Sequence, residues 1–328
     1  MTLYVYSPVV GPTGGTELLQ QFCSIARSLG IDAQMLYQKD PEGSPILQKF
    51  GYYENPYTTS FPDRPNDSII IPEHFADYCH RVKHAKCAIW WLSVDNYWGA
   101  SYEADGYSYK DLYRITRRLL YRPVHRQNII RFNSCVHFYQ SEYARKYIVD
   151  ELGLPSANVY PLSDFIDPRY RELDCTISKS NRVLYNPKKG IKYTRQLIEL
   201  DPTIDWTPLE GYSSEELLEL MQKSKVYIDF GAHPGKDRLP REAAACGCCL
   251  LTGARGAAGN KIDVPIRDEL KIHPFDAHLA LTAIHSLLDN YESEHAKLSE
   301  YRRSIAIERD VFCSEVKEAA SILNGDAS

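Results

Sequence analysis

The most constraining stretch of this chain is its start, where a β-rich run, a glycine loop, a helix-period stretch and a second β-rich run follow one another. Residues 2–10 (TLYVYSPVV) are short and apolar, and 11–17 (GPTGGTE) is turn-rich. ELLQQFCSIARSLG then places Leu18, Leu19, Phe22, Ile25, Ala26 and Leu29 at helical spacing, with Gly30 as a natural stop. IDAQMLYQ (31–38) is the next strand, so the segment reads as a βαβ unit, the crossover that parallel strands require.

The pattern continues. Residues 39–67 read as a long loop, SIIIPEHF and KCAIWWLSVD as buried strands, CVHFYQS as a strand, EYARKYIVDELG as a helix and NVYPLSDFID as a short strand running into a linker. Apolar content drops and charge rises at 168–181, where the boundary is expected. A second series follows: RVLYNPKKG, IKYTRQLIELDP, WTPLEG, SSEELLELMQKS, KVYIDFG, LPREAAACG, CCLLTG and ELKIH, then a helical tail from 276. The expectation is an α/β chain of two Rossmann-like, doubly wound domains facing across a cleft. Residues 1–168 form the first, 169–300 the second, and 301–328 a terminal helix. Open parallel sheets bind ligands beyond the carboxyl ends of their strands.

With 328 residues, two domains each have enough chain for a core. The net charge of −5 gives no basic excess for nucleic acid. Nine scattered cysteines do not form a disulfide framework, and no paired CxxC spacing calls for zinc, so no metal is assigned and the cysteines read as buried small hydrophobes. MTLYVYSPVV lacks the charged and apolar regions of a signal peptide, and no stretch approaches the ~20 apolar residues of a membrane span, so the expected location is the cytoplasm.

The strongest chemical signal is 226–253, VYIDFGAHPGKDRLPREAAACGCCLLTG. A strand ends in a loop holding Gly231, His233, Gly235, Lys236, Asp237 and Arg238, and Pro240 is expected to open a helix with Glu242 in its first turn. Glycines let amides approach oxygens closely, a helix start attracts anions, and Lys236 and Arg238 add charge-assisted contacts. That suits a nucleoside diphosphate, with Glu242 accepting from the two ribose hydroxyls.

GYSSEELLELMQKSKVYIDFG followed by PREAAACGCCLLTG resembles the GT-B glycosyltransferases, above all the large retaining group with two glutamates separated by seven residues. The resemblance covers most of the chain. It implies that Glu242 is the second, ribose-binding glutamate; the first falls at Pro234, a departure from the pattern. Asp237 or His233 would then take the donor sugar. In the segment VLYNPKKGIKYTRQL, Lys189 would meet the diphosphate, helped by Lys192 or Arg195. Gly14 and Gly15 resemble the loop that faces the donor phosphates, Ser141 a helix-starting serine, and the last helix one that crosses back to the first domain. The resemblance further implies a UDP- or GDP-sugar as co-substrate, a glycan or glycolipid acceptor, no required metal, and, for a retaining enzyme, no protein nucleophile.

Two further strand ends carry polar groups. Asp95 first and Glu73 second are candidates to orient an acceptor hydroxyl or serve as its base, and Trp90, Trp91, Tyr97 and Trp98 offer faces for a sugar. Between 110 and 131, Lys110, Arg114, Arg117, Arg118, Arg122, Arg126 and Arg131 interleave with apolar residues, a pattern suited to an anionic membrane surface or acceptor. The rival readings are a nucleotide-sugar hydrolase or epimerase on the same fold, and an inactive glycan- or nucleotide-binding module.

Overall fold

The computed structural model describes residues 1–9, 11–97, 128–171, 173 and 177–325. Trp98 and all of the basic segment before Asn128 lie outside them, and with them the expected basic helix and its membrane contact. The described residues divide into two compact units: 1–9, 11–97, 128–164 and 310–325 make one, and 165–171, 173 and 177–309 the other.

The first unit is a seven-stranded parallel sheet. Its strands are β1 (Leu3–Ser7), β2 (Ala33–Tyr37), β3 (Tyr57–Thr58), β4 (Ser68–Pro72), β5 (Lys86–Trp91), β6 (Val136–Tyr139) and β7 (Val159–Pro161), in the order β3-β2-β1-β4-β5-β6-β7. All five residues of β1 are buried, as in a strand covered on both faces. The helix Gly14–Ser28 starts three residues before the expected stretch, inside the segment read as a turn, because Thr13 and Thr16 cap each other's backbone: Thr16 N donates to Thr13 Oγ1 at 3.3 Å and Thr13 N to Thr16 Oγ1 at 2.8 Å. One apolar layer joins Tyr4, Tyr6, Ile69, Ile71, Ile89, Trp91 and Ile148. On Trp90 sit Phe22 and Phe312, the latter from the helix Glu308–Asn324. The expected loop at 39–67 contains the helix Pro45–Phe50, begun by Ser44 as N-cap with Pro45 in the first turn.

The second unit is a five-stranded parallel sheet of β8 (Ser180–Tyr185), β9 (Asp205–Pro208), β10 (Ser224–Asp229), β11 (Cys249–Gly253) and β12 (Lys271–Ile272), in the order β12-β11-β10-β8-β9. Val183, Leu184, Val226, Ile228, Leu250 and Leu251 form its centre, with Leu197, Ala243, Ala244, Ile284 and Leu287 packed from helices. Ser213 and Glu216 form a reciprocal cap on the helix Ser214–Gln222, the expected start of that segment. The tail is broken into helices Ala277–Asp289, Tyr291–Lys297, Ser299–Ala306 and Glu308–Asn324. Among the described residues no helix is long and apolar enough to cross a membrane.

Candidate functional site

In the second sheet the chain moves to one side after β8 and to the other after β10, and these two strands are neighbours. Loops leaving adjacent strands in opposite directions open a crevice beyond the strand ends. Here the loops are 186–190 and 230–237. They meet backbone to backbone. Gly190 has φ +62°, and a Cβ there would stand 2.7 Å from the Phe230 carbonyl carbon; a Cβ on Gly231 would stand 2.5 Å from Lys189 Cβ. That closeness, possible with glycine at both positions, lays Lys189 over the 230–237 loop. Its Nζ donates to Asp237 Oδ2 at 2.6 Å and to the Ala232 carbonyl at 3.3 Å.

Asp237 also faces His233, whose Nδ1 lies 3.0 Å from Oδ2, while His233 Nε2 lies 3.6 Å from Asp229 Oδ1. These are ion-pair distances on bent geometry, and neither ring nitrogen has a well-aligned hydrogen bond. His233 is 1% exposed. Burial pushes its imidazole down, but Asp229 and Asp237 outweigh that and hold it above its ordinary value. Burial likewise pushes the Asp237 carboxyl up, and His233 and Lys189 bring it to about 2. The ligand atoms of Asp229, His233 and Asp237 lie within 4.8 Å of one another, a spacing a metal ion would accept. Their partners make a charge-paired network instead: Asp229 accepts from Gly231 N at 2.8 Å and Tyr227 Oη at 3.0 Å, and Asp237 already holds two cations. The second glycine loop closes over this network. Gly256 has φ +66°, a Cβ there would stand 2.1 Å from the His233 carbonyl oxygen, and Ala257 N donates to that oxygen at 2.8 Å.

The helix that follows runs Arg238–Ala245, two residues earlier than expected. Pro240 is its third residue, where an amide would have had no helical partner, so proline is tolerated there. Glu242 is consequently past the first residues of the helix. It stands near Tyr170, whose phenol is pushed up by burial and then by that carboxylate. Arg238 is half-buried at the helix start and Gly235 is buried in the loop. Lys236 Nζ lies 2.9 Å from Glu308 Oε1. Glu308 Oε2 accepts from Arg241 Nη1 at 2.8 Å. Arg241, 1% exposed, also donates from Nε to the Asp237 carbonyl at 3.2 Å and from Nη2 to the Lys236 carbonyl at 3.0 Å. Sequence reasoning missed Arg241, Glu308 and Asp229; an arginine inside an alanine-rich, core-facing helix was the available signal.

The network has a pH signature. Asp237's pairing contributes at any pH above the unfolded carboxyl value and is lost as pH falls through about 2. His233 behaves oppositely: its contribution is complete below 6.5 and drains away as pH rises through its higher folded value. The melting temperature is therefore expected to decline as pH rises above about 6.5, and His233→Gln to flatten that decline. Equal slopes in both proteins would contradict a charged imidazole.

In the first unit, Gly14 and Gly15 begin the helix capped by Thr13, at the β1 end beside the reversal between β1 and β4. Glu73 is 2% exposed and its Oε2 accepts from Leu92 N at 3.0 Å. Burial raises it to about 8, against the pull of backbone donors at Leu92 and Ser93. Asp95 is raised by burial and accepts from Tyr143 Oη at 3.3 Å. Ser141 caps the helix Glu142–Lys146, accepting from Ala144 N at 3.2 Å. Trp90 and Trp91 are fully buried, with their indole N–H groups on the Leu162 carbonyl and His137, so the expected sugar-stacking faces are core. Their strand is covered on both sides, which puts both alternating faces inside.

No family model matches the chain, and no curated protein matches it in sequence. Solved structures do. Sucrose-phosphate synthase from Thermosynechococcus elongatus is 11% identical, with a TM-score of 0.67 over 99% of this chain and 100% of that one. Anabaena Alr3699/HepE in complex with UDP-glucose gives 12%, 0.64, 98% and 99%. A glycosyltransferase from Rickettsia africae ESF-5 gives 11%, 0.63, 99% and 98%. The fold is GT-B. At these identities the likeness is one of architecture.

Proposed function

We propose that this chain is a glycosyltransferase that moves a sugar from a nucleotide donor, with a UDP-sugar as the favoured donor, to a hydroxyl of a glycan or glycolipid. The observation that carries it is the convergence of Lys189, Lys236 and Arg238 with a helix start at the β8/β10 reversal. The choice of UDP is supported by a neighbour of the same fold that was solved with UDP-glucose.

In this reading the leaving diphosphate meets Lys189, Lys236, Arg238 and the amides that open the helix Arg238–Ala245. Lys189 and Lys236 are held at close range by Asp237 and Glu308, so the phosphates compete with carboxylates for cations already in place. Glu242 takes the ribose, and Asp237 or His233 the donor sugar. We infer retention of configuration, with the departing phosphate oxygen receiving the acceptor proton. In an inverting reaction Asp95 is the better base, because Glu73 is raised to about 8 and holds its proton at neutral pH.

The test pairs binding with turnover. UDP-glucose is expected to raise the melting temperature. Glu242→Ala is expected to weaken UDP roughly 10–100-fold, the loss of charge-assisted bonds to two hydroxyls, and to lower transfer with it. Unchanged affinity and rate in that variant would remove Glu242 from the site.

A further inference from the structure

The last carbonyls of a helix have no partner within it, and cationic side chains are one way to satisfy them. In the second unit the helices Ser214–Gln222, Arg238–Ala245, Ala277–Asp289 and Tyr291–Lys297 all finish this way. Lys179 Nζ donates to the Gln222 carbonyl at 2.7 Å and the Cys246 carbonyl at 2.8 Å, Lys225 Nζ to the Leu288 carbonyl at 3.2 Å, and Arg302 Nη1 to the His295 carbonyl at 2.9 Å. The three cations gather round one cavity of about 430 Å³. About 300–1,000 Å³ is usual for a small-molecule pocket. The cavity lies by the first residues of β8 and β10, so the six residues of each strand, roughly 20 Å at about 3.3 Å per residue, separate it from the crevice of the 186–190 and 230–237 loops.

The cavity is positive. Lys179, Lys225 and Arg302 line it with His295, and among the described lining residues Glu292 is the one acid. Lys179 contributes charge alone, because its amine already serves Met221 and Ser224 as well, four carbonyls in all. His295 has more to give. Gly247, with φ +86°, ends the helix Arg238–Ala245, and a Cβ there would stand 3.1 Å from Lys179 Cε and 3.3 Å from His295 Nε2. Glycine thus lets the imidazole and the lysine stem share the space over that turn. Among the described residues neither ring nitrogen of His295 makes a hydrogen bond; the ring lies 5.4 Å from that of Tyr291.

Burial pushes the His295 imidazole down, Arg302 and then Lys179 push it the same way, and exposed Glu292 pulls against them. Tyr291 donates its hydroxyl to the Gly247 carbonyl at 2.8 Å, and its phenol, like the Cys246 thiol, is raised by burial and stays neutral. A histidine kept neutral by two cations beside an open cavity lacks a counter-charge, and an entering oxyanion supplies it. Phosphate suits the place better than carboxylate. It carries up to two charges near pH 7 and three acceptor oxygens, enough for a guanidinium fork, an ammonium and an imidazolium together. The cavity is larger than a phosphate group needs, and Ile177 and Ala245 add apolar lining for an organic substituent.

We propose that this cavity binds a small phosphate monoester, with Arg302, Lys225 and His295 as partners of its phosphate. The site stands independently of the glycosyltransferase reading.

The experiment follows the His295 imidazole by NMR on the full chain, its signal assigned with His295→Gln, during titration with phenyl phosphate and, separately, benzoate. Reading one ring keeps this site distinct from the crevice, where phosphate is also attracted. Phenyl phosphate is expected to move the His295 signal to saturation and to raise the pH at which it titrates, with benzoate binding about tenfold more weakly or less. Arg302→Gln and Lys225→Gln are each expected to weaken phenyl phosphate about fivefold or more. Lys225→Gln keeps an N–H for the Leu288 carbonyl, so it reports even where Arg302→Gln disturbs folding. A His295 signal unmoved by phenyl phosphate, benzoate binding as tightly, or parent affinity in Lys225→Gln and a folded Arg302→Gln overturns the proposal.

Discussion

Replacing Lys189 with alanine is expected to lower kcat/KM for the sugar nucleotide by on the order of 10²–10³, most of it in kcat. Charge on the departing diphosphate is greater in the transition state than in the intact donor, so a cation beside it favours the transition state over the ground state. The contact of two loops through Gly190 and Gly231 lays Lys189 over the 230–237 loop, and its amine stands 2.6 Å from Asp237 Oδ2. The backbone contact does not need the lysine side chain, and Asp237 keeps His233 at 3.0 Å, so the variant should fold and melt within a few degrees of the parent. Lys189→Arg keeps the charge but sets a planar fork where Lys189 Cβ and Cδ already crowd Gly231, and a partial rate is expected. Steady-state rates over a range of donor concentrations, with melting curves on the same samples, give the answer. A kcat/KM for Lys189→Ala within threefold of the parent would take the lysine out of the reaction.

The fold was legible because periodicity alone separates buried parallel strands from amphipathic helices. TLYVYSPVV, SIIIP and KVYID are near-continuous apolar runs, and each became a strand with few exposed positions. The loops after β8 and β10 were legible as loops for a related reason: Gly190, Gly231 and Gly256 stand where backbones meet. Partnerships were not legible. Lys236 pairs with Glu308, 72 residues away in sequence, and nothing in the pattern PGKDRLPRE names that acid. The helix start was misplaced because proline is favoured at the first helical position and also allowed at the third, so Pro240 alone does not fix the register. Trp90 and Trp91 show the same limit from the other side, since adjacent aromatics on a doubly covered strand read alike whether they are core or crest. A cavity of about 440 Å³ in the first unit was invisible to sequence, because residues from four separate segments line it.

Arg241→Ala is expected to destabilise the second unit by about 3–5 kcal/mol, the usual consequence of removing one partner from a buried ion pair. The guanidinium is 1% exposed and serves three acceptors at once: Glu308 Oε2, the Asp237 carbonyl and the Lys236 carbonyl. Without it Glu308, whose side chain is 8% exposed, keeps Lys236 but loses its other cation, and two loop carbonyls lose a donor. For a unit of this size the melting temperature should drop by about 10 °C. Arg241→Lys retains the charge, yet one ammonium cannot span acceptors arranged for a planar fork, so an intermediate loss is expected. Adding Glu308→Gln to Arg241→Ala should recover part of the stability, because the buried carboxylate is then neutral; a double-mutant cycle on denaturant unfolding measures that coupling. The same carbonyls fix the backbone of Lys236 and Asp237, so UDP affinity should fall in Arg241→Ala although the guanidinium itself is buried. A destabilisation below 1 kcal/mol, or additive effects of the two changes, would mean that Arg241 and Glu308 do not hold the loop.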